Sequence, residues 1–174
     1  MTLFNNKYRV ETTRLKNWDY GSAAPYFITI CTINGEHFFG ELQNDKMSLN
    51  AIGLTVKNEW ERTPQIRPDM NLTLNEFVIM PNHFHAIICI GENRFNKNTK
   101  DVEGNKFSPQ SKNLGAIIGG FKSSVSKKVR AIIPHFGWQE RYHDNVIRDD
   151  ESYLRIQQYI LNNPKNWKDD KFYS

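Results

Sequence analysis

The chain has 174 residues, 39% of them hydrophobic and 13% aromatic, which suffices for one domain with a real core and no disulfide staples. Charged residues make up 24% and the formal net charge is +4, which excludes global disorder and suits a phosphate-rich partner without requiring one. No run approaches the roughly 20 apolar residues that span a bilayer.

The early charges Lys7, Arg9, Glu11, Arg14 and Lys16 break up any secretory leader. The two cysteines, Cys31 and Cys89, each sit inside an apolar run, as reduced, packed thiols do. Together these features predict a soluble, cytoplasmic protein with no membrane partner.

Residues 26–33, β-branched and aromatic after Pro25, read as a strand that Asn34-Gly35 ends in a turn. A short hairpin is expected over 38–42 and 46–49. Ile52, Val56 and Trp60 recur at helical spacing between Asn50 and Glu61, and Pro64 stops that helix. Two strand-like runs follow, 72–80 and 83–90, separated by Pro81-Asn82. Residues 92–113 are polar and poor in apolar anchors, and they predict a mobile loop within a single domain spanning 1–174.

Leu114, Ile117, Ile118, Phe121, Val125 and Val129 then mark one face of a long helix, with Lys122, Lys127, Lys128 and Arg130 on the rest of it. A strand-like segment over 137–147 leads to a last helix over 150–162, capped by Asp149 or Asp150 and limited by Pro164. The order of elements predicts an α+β protein whose sheet carries helices packed mainly on one face.

The chemistry centres on Met80-Pro81-Asn82-His83-Phe84-His85. Side chains alternate along a strand, so His83 and His85 project from one face and are spaced to bind one metal ion. Spacing alone does not separate such a pair from packed histidines. On the last helix Tyr159 and Asn163 are four apart and share a face. A tyrosine can attack a phosphodiester, but with an ordinary pKa near 10 it needs help from a base or a cation. The amide oxygen of Asn163 offers a further metal ligand, although a residue before proline is biased away from helical geometry. Glu76 reads as solvent-facing, and Asp149 fits a helix cap better than a ligand.

These stretches carry a resemblance. Phe77–Phe84-His85, with Tyr159-Ile160-Leu161-Asn162-Asn163-Pro164, resembles the REP-associated tyrosine transposases, a branch of the single-tyrosine HUH transposases of single-stranded DNA. Tyr26-Phe27-Ile28-Thr29, Leu114-Gly115-Ala116-Ile117, Gly120-Phe121-Lys122-Ser123, Trp138-Gln139-Glu140-Arg141-Tyr142, Ile147-Arg148-Asp149 and Trp167 follow in family order. The resemblance implies a ferredoxin-like antiparallel sheet and one HUH catalytic domain. It implies that His83, His85 and Asn163 bind a divalent metal, Mg²⁺ or Mn²⁺, and that Tyr159 is the nucleophile. The activity implied is nicking and strand transfer of single-stranded DNA beside a hairpin or palindromic repeat, through a 5′-phosphotyrosine. Relatives assemble such sites within one chain or across a homodimer.

The residues themselves add a DNA surface. Lys112, Lys122, Lys127, Lys128, Arg130, Arg141 and Arg148 are placed to neutralise phosphates, and Trp138, Tyr142 and His143 offer stacking surfaces for unpaired bases. Two other readings remain open on sequence: a replication-initiator or relaxase-type HUH nickase, and a noncatalytic DNA-binding regulator that keeps the fold.

Overall fold

In the computed structural model, which describes residues 14–96 and 111–174, the β-branched run behind Pro25 forms strand β1 (Ala24–Cys31). The predicted hairpin follows as β2 (Gly40–Gln43) and β3 (Lys46–Leu49). Asn44 and Asp45 turn it with φ of 52° and 59°, the left-handed pair of a tight hairpin that short polar residues tolerate. Helix α1 (Ala51–Glu61) starts where Asn50 accepts from the Ile52 and Gly53 amides. Pro64 does not simply end the helix. It sits in the first turn of a new short one, α2 (Thr63–Ile66), where its missing N–H costs nothing.

Strands β4 (Leu72–Ile79) and β5 (His83–Ile90) pair antiparallel across the Pro81-Asn82 turn. Helices α3 (Leu114–Val129) and α4 (Asp150–Asn162) flank the last strand, β6 (His143–Val146). Among the described residues the main sheet has the order β4-β5-β1-β6, with every neighbour antiparallel. Read as β1-α1-β4-β5-α3-β6, this is the ferredoxin-like βαββαβ arrangement that the resemblance implied.

The two faces of the sheet bury different things. Phe84, Ala86, Ile88 and Ile90 of β5 join the main core with Val56 and Trp60 of α1 and with Ile117, Phe121 and Val125 of α3. Trp60, Phe84 and Phe121 meet edge to face or tilted, with centroids 5.0–5.6 Å apart. Across this core Glu59 of α1 is buried and bonded to Ser124 and Lys128 of α3. The opposite face is covered by α4 through a smaller cluster of Ile87, Ile147 and Ile160, packed against Phe27, Val78, Tyr153 and Ile156. The alternation of β5 therefore sends His83 and His85 to the α4 face.

Three expectations need correcting. The strand-like segment 137–147 shortens to four residues, and Trp138 makes only an isolated bridge to Thr32. Its ring is wedged among Phe39, Phe121 and Phe136, and Lys122 Nζ donates to the Gln139 and Glu140 carbonyls. Glu76 does not face solvent freely. A bulge between Leu74 and Phe77 re-aims this stretch, and Glu76 is half-buried against α4, where it accepts from Gln157 Nε2 at 2.6 Å. Asn163 keeps helical angles (φ −55°, ψ −43°) despite Pro164, because the turn tightens to Asn163 N→Ile160 O and Asn166 N→Asn162 O carries it onward. Within the polar stretch 92–113, residues 97–110 lie outside the described residues, so the expected mobile loop falls largely there. Its flanks are tied down, Asn93 to Met70 O and Lys112 to Asp69.

Candidate active site

His83 and His85 lie on β5, between β4 and β1, and are fully buried, with ring centroids 4.5 Å apart. Their walls are apolar. Phe27 stacks on His85 at 5.5 Å, Trp167 stacks on His83 at 5.7 Å, and Phe172 touches both rings at 4.7 and 5.8 Å. Such walls disfavour charge. Burial pushes the His83 pKa down to about 4, opposed in part by Asp170, and burial with the neighbouring His83 holds His85 well below its ordinary value. Both rings are therefore neutral near pH 7, the form that ligates metals.

Each ring is held at Nδ1. Asn82 Oδ1 lies 2.9 Å from His83 Nδ1, and Thr29 Oγ1 lies 2.7 Å from His85 Nδ1. Thr29 reaches His85 because the two are register partners on β1 and β5. The Nε2 atoms are left for other work. That of His85 is 3.2 Å from the Tyr159 hydroxyl, and that of His83 is buried without a hydrogen-bond partner.

Helix α4 brings Tyr159 and Asn163 over the pair. Asn163 is 1% exposed, and its Oδ1 is a second orphaned buried atom. Its Nδ2 donates to Asp170 Oδ2 at 2.8 Å, which also takes the Tyr159 hydroxyl at 3.3 Å. Tyr159 remains 40% exposed. Burial, with Asp170 beside it, pushes its pKa up to about 12, so the hydroxyl is protonated at rest.

His83, His85 and Asp170 each offer a ligand atom, and these atoms all lie within 4.8 Å of one another. Two imidazole nitrogens, a carboxylate and the unpartnered Asn163 carbonyl make a donor set that fits a divalent cation. Buried polar atoms rarely go unpaired, and the orphaned His83 Nε2 and Asn163 Oδ1 are the atoms such an ion would satisfy.

Asp170 and Asn82 are the residues that sequence reasoning missed. Asp170 sits in the charged run Lys168–Asp169-Asp170-Lys171, which looks like solvated surface. Its only pointer was a position seven residues beyond Asn163. Asn82 reads as a turn residue.

Most of the expected DNA residues are engaged within the chain. Lys112 pairs with Asp69, Lys128 with Glu59, and Arg130 Nε donates to Phe136 O. Lys122 is half-buried on backbone carbonyls. Trp138 is half-buried with Nε1 on Lys122 O, and Tyr142 accepts from Arg14. Lys127, Arg141, His143 and Arg148 are exposed, Arg148 with its guanidinium 5.8 Å from the Trp18 ring. Among the described residues no helix is long and apolar enough to cross a membrane.

Known proteins give this geometry a context. A REP-associated tyrosine transposase, solved bound to a REP hairpin, matches with a TM-score of 0.61 over 91% of this chain and 74% of its own, at 18% identity. The fold is that of this transposase class. A Deinococcus radiodurans protein proposed to be a transposase aligns at a TM-score of 0.44 and 14% identity, over 89% of this chain and 97% of its own. An uncharacterised protein of Haemophilus influenzae is 41% identical over 165 residues, 92% of this chain and 91% of the relative, and the chain belongs to the same family. No protein-family profile matches the chain.

Proposed function

We propose that the protein is a metal-dependent endonuclease and strand transferase of single-stranded DNA, with Tyr159 as nucleophile. The observation that carries this reading is Tyr159 itself, a residue 40% exposed to solvent whose hydroxyl lies 3.2 Å from Nε2 of a buried, neutral histidine pair. His83, His85 and Asn163 would hold the divalent ion, of the Mg²⁺ or Mn²⁺ class, with Asp170 as a fourth donor. When bound, the ion supplies charge neutralisation at the scissile phosphate.

Tyr159 Oη attacks the phosphorus and loses its proton. The new Tyr–O–P bond replaces the bond to the 3′ oxygen, which leaves as a 3′-hydroxyl. The 5′-phosphotyrosine keeps the energy of the broken linkage, so a second 3′-hydroxyl can reverse the step onto another end without ATP. Tyr159 and the histidines belong to one chain here, which supports a site that needs no second copy.

The substrate class follows the fold's relative, which was solved on a REP hairpin: we assign single-stranded DNA beside a hairpin or palindromic repeat. Lys127, Arg141 and Arg148 are the foremost candidates for phosphate contact because they are exposed. Lys112, Lys122, Lys128, Arg130, Trp138 and Tyr142 contribute to that surface once their internal partners are exchanged.

The test is a covalent adduct. Wild type incubated with hairpin-flanked single strands and Mn²⁺ should form a denaturation-resistant protein–DNA band. Tyr159→Phe should lose the band while retaining binding by mobility shift. A Phe variant that still forms the adduct removes Tyr159 as nucleophile. Tight binding with no adduct from wild type favours a noncatalytic regulator.

A further inference from the structure

Asn82 is buried at 3% exposure in the turn that enters β5, and its carbonyl and both ends of its side-chain amide are hydrogen-bonded. Its carbonyl accepts from Thr32 N at 2.9 Å and Thr32 Oγ1 at 3.0 Å, which fixes the backbone. Its Nδ2 donates to Phe172 O at 2.8 Å and Gly35 O at 3.3 Å, with Ser174 Oγ at 3.4 Å. Backbone carbonyls only accept, so the nitrogen end of the amide must face them and the oxygen end must face His83. An amide oxygen only accepts as well. The hydrogen shared with His83 Nδ1 therefore resides on the ring, and the lone pair of the neutral imidazole is left on Nε2, a buried atom that makes no hydrogen bond of ordinary geometry although the Asn163 amide lies beside the ring.

We propose that Asn82 is a positioning residue that locks His83 in the Nδ1–H tautomer and so presents Nε2 to a divalent metal. The inference rests on the metal-binding reading above for its purpose, but the tautomer follows from the hydrogen bonds alone. A plain turn residue would close the β4–β5 connection equally well without choosing between the two ring nitrogens. The same amide also ties the segment carrying Phe172 to the ligand it orients. Ligand-orienting partners of this kind typically change metal affinity about 10–100-fold when lost.

The experiment has two readouts. Nitrogen-15 spectra of the metal-free protein report the protonated ring nitrogen of His83, with His83→Gln giving the assignment. Wild type should show Nδ1–H alone, Asn82→Asp should keep it because a carboxylate still accepts, and Asn82→Ala should shift toward Nε2–H. Calorimetric titration with Mn²⁺ should then show about 10–100-fold weaker binding for Asn82→Ala than for wild type. Wild type with Nε2–H overturns the proposal even if the variants fail to fold. Equal tautomers and equal Mn²⁺ affinity in Asn82→Ala overturn it too. Should wild type show Nδ1–H but bind no Mn²⁺, the metal-binding reading fails while the tautomer assignment stands.

Discussion

The Tyr159 hydroxyl and His85 Nε2 stand 3.2 Å apart across the seam between α4 and the central strand. That distance depends on how α4 is seated. The neighbouring residue, Ile160, is fully buried against Ile87 and Ile147 in a small cluster separate from the main core.

Ile160→Ala should therefore harm the site beyond its cost to the fold. Truncating a buried isoleucine costs about 2–5 kcal/mol, a fall in Tm of roughly 5–15 °C for a chain of this length. Adduct formation, measured at a temperature where the variant is still folded, should drop at least ~10-fold, since small misplacements of a reacting group are costly. Adduct formation at the wild-type rate would mean that the cluster does not set the position of Tyr159.

The buried pair makes stability depend on pH. The His83 pKa is about 4 in the fold against 6.5 when unfolded, and that of His85 is lowered in the same direction. The unfolded chain thus binds protons first as pH falls. Stability present above pH 6.5 is lost progressively as pH drops toward about 4. Melting the metal-free protein between pH 7.5 and 4.5 should show a falling Tm, and His83→Gln should flatten the slope. A wild-type profile that stays level would contradict burial as the cause.

Much of this was legible in the sequence, and the limits have physical reasons. The helices 114–129 and 150–162 and the strand 83–90 announce themselves because hydrophobic periodicity and caps report burial directly. The pairing of His83 with His85 on one face follows from strand geometry alone. Thr29, by contrast, meets His85 only through the β1–β5 register, which links residues 56 apart in the chain. Asp170 was hidden because a charged run looks like solvated surface unless the chain is known to fold back over the sheet. Several lysines on α3 looked like a DNA-facing row, but periodicity cannot reveal that Glu59 on a separate helix claims Lys128.

Metal binding should stabilise the folded protein through atoms that the unfolded chain does not bring together. At Mn²⁺ about 100-fold above Kd the gain is ~2.7 kcal/mol, which should raise Tm by roughly 5–10 °C. His83→Gln and His85→Gln should each abolish the rise, and a chelator should reverse it in wild type. An unchanged Tm at saturating Mn²⁺ would leave His83 and His85 as packed core histidines.

Asp170→Asn separates two roles of one carboxylate. Asp170 Oδ2 lies 3.3 Å from the Tyr159 hydroxyl and 2.8 Å from Asn163 Nδ2. Burial is the larger reason that the Tyr159 pKa stands near 12, and Asp170 adds to it. Removing the charge should bring that pKa down, yet leave it above the ordinary 10.0 because the ring stays packed against Phe27 and His85. A carbon-13 label at the tyrosine ring, assigned with Tyr159→Phe, reads this titration in the metal-free protein. The same substitution replaces an anionic donor with a neutral one, so Mn²⁺ affinity should fall as well. Adduct yield at saturating Mn²⁺ then weighs an easier Tyr159 deprotonation without interference from weaker ion binding. An unmoved Tyr159 titration would show that Asp170 does not act on the nucleophile, whatever it does for the metal.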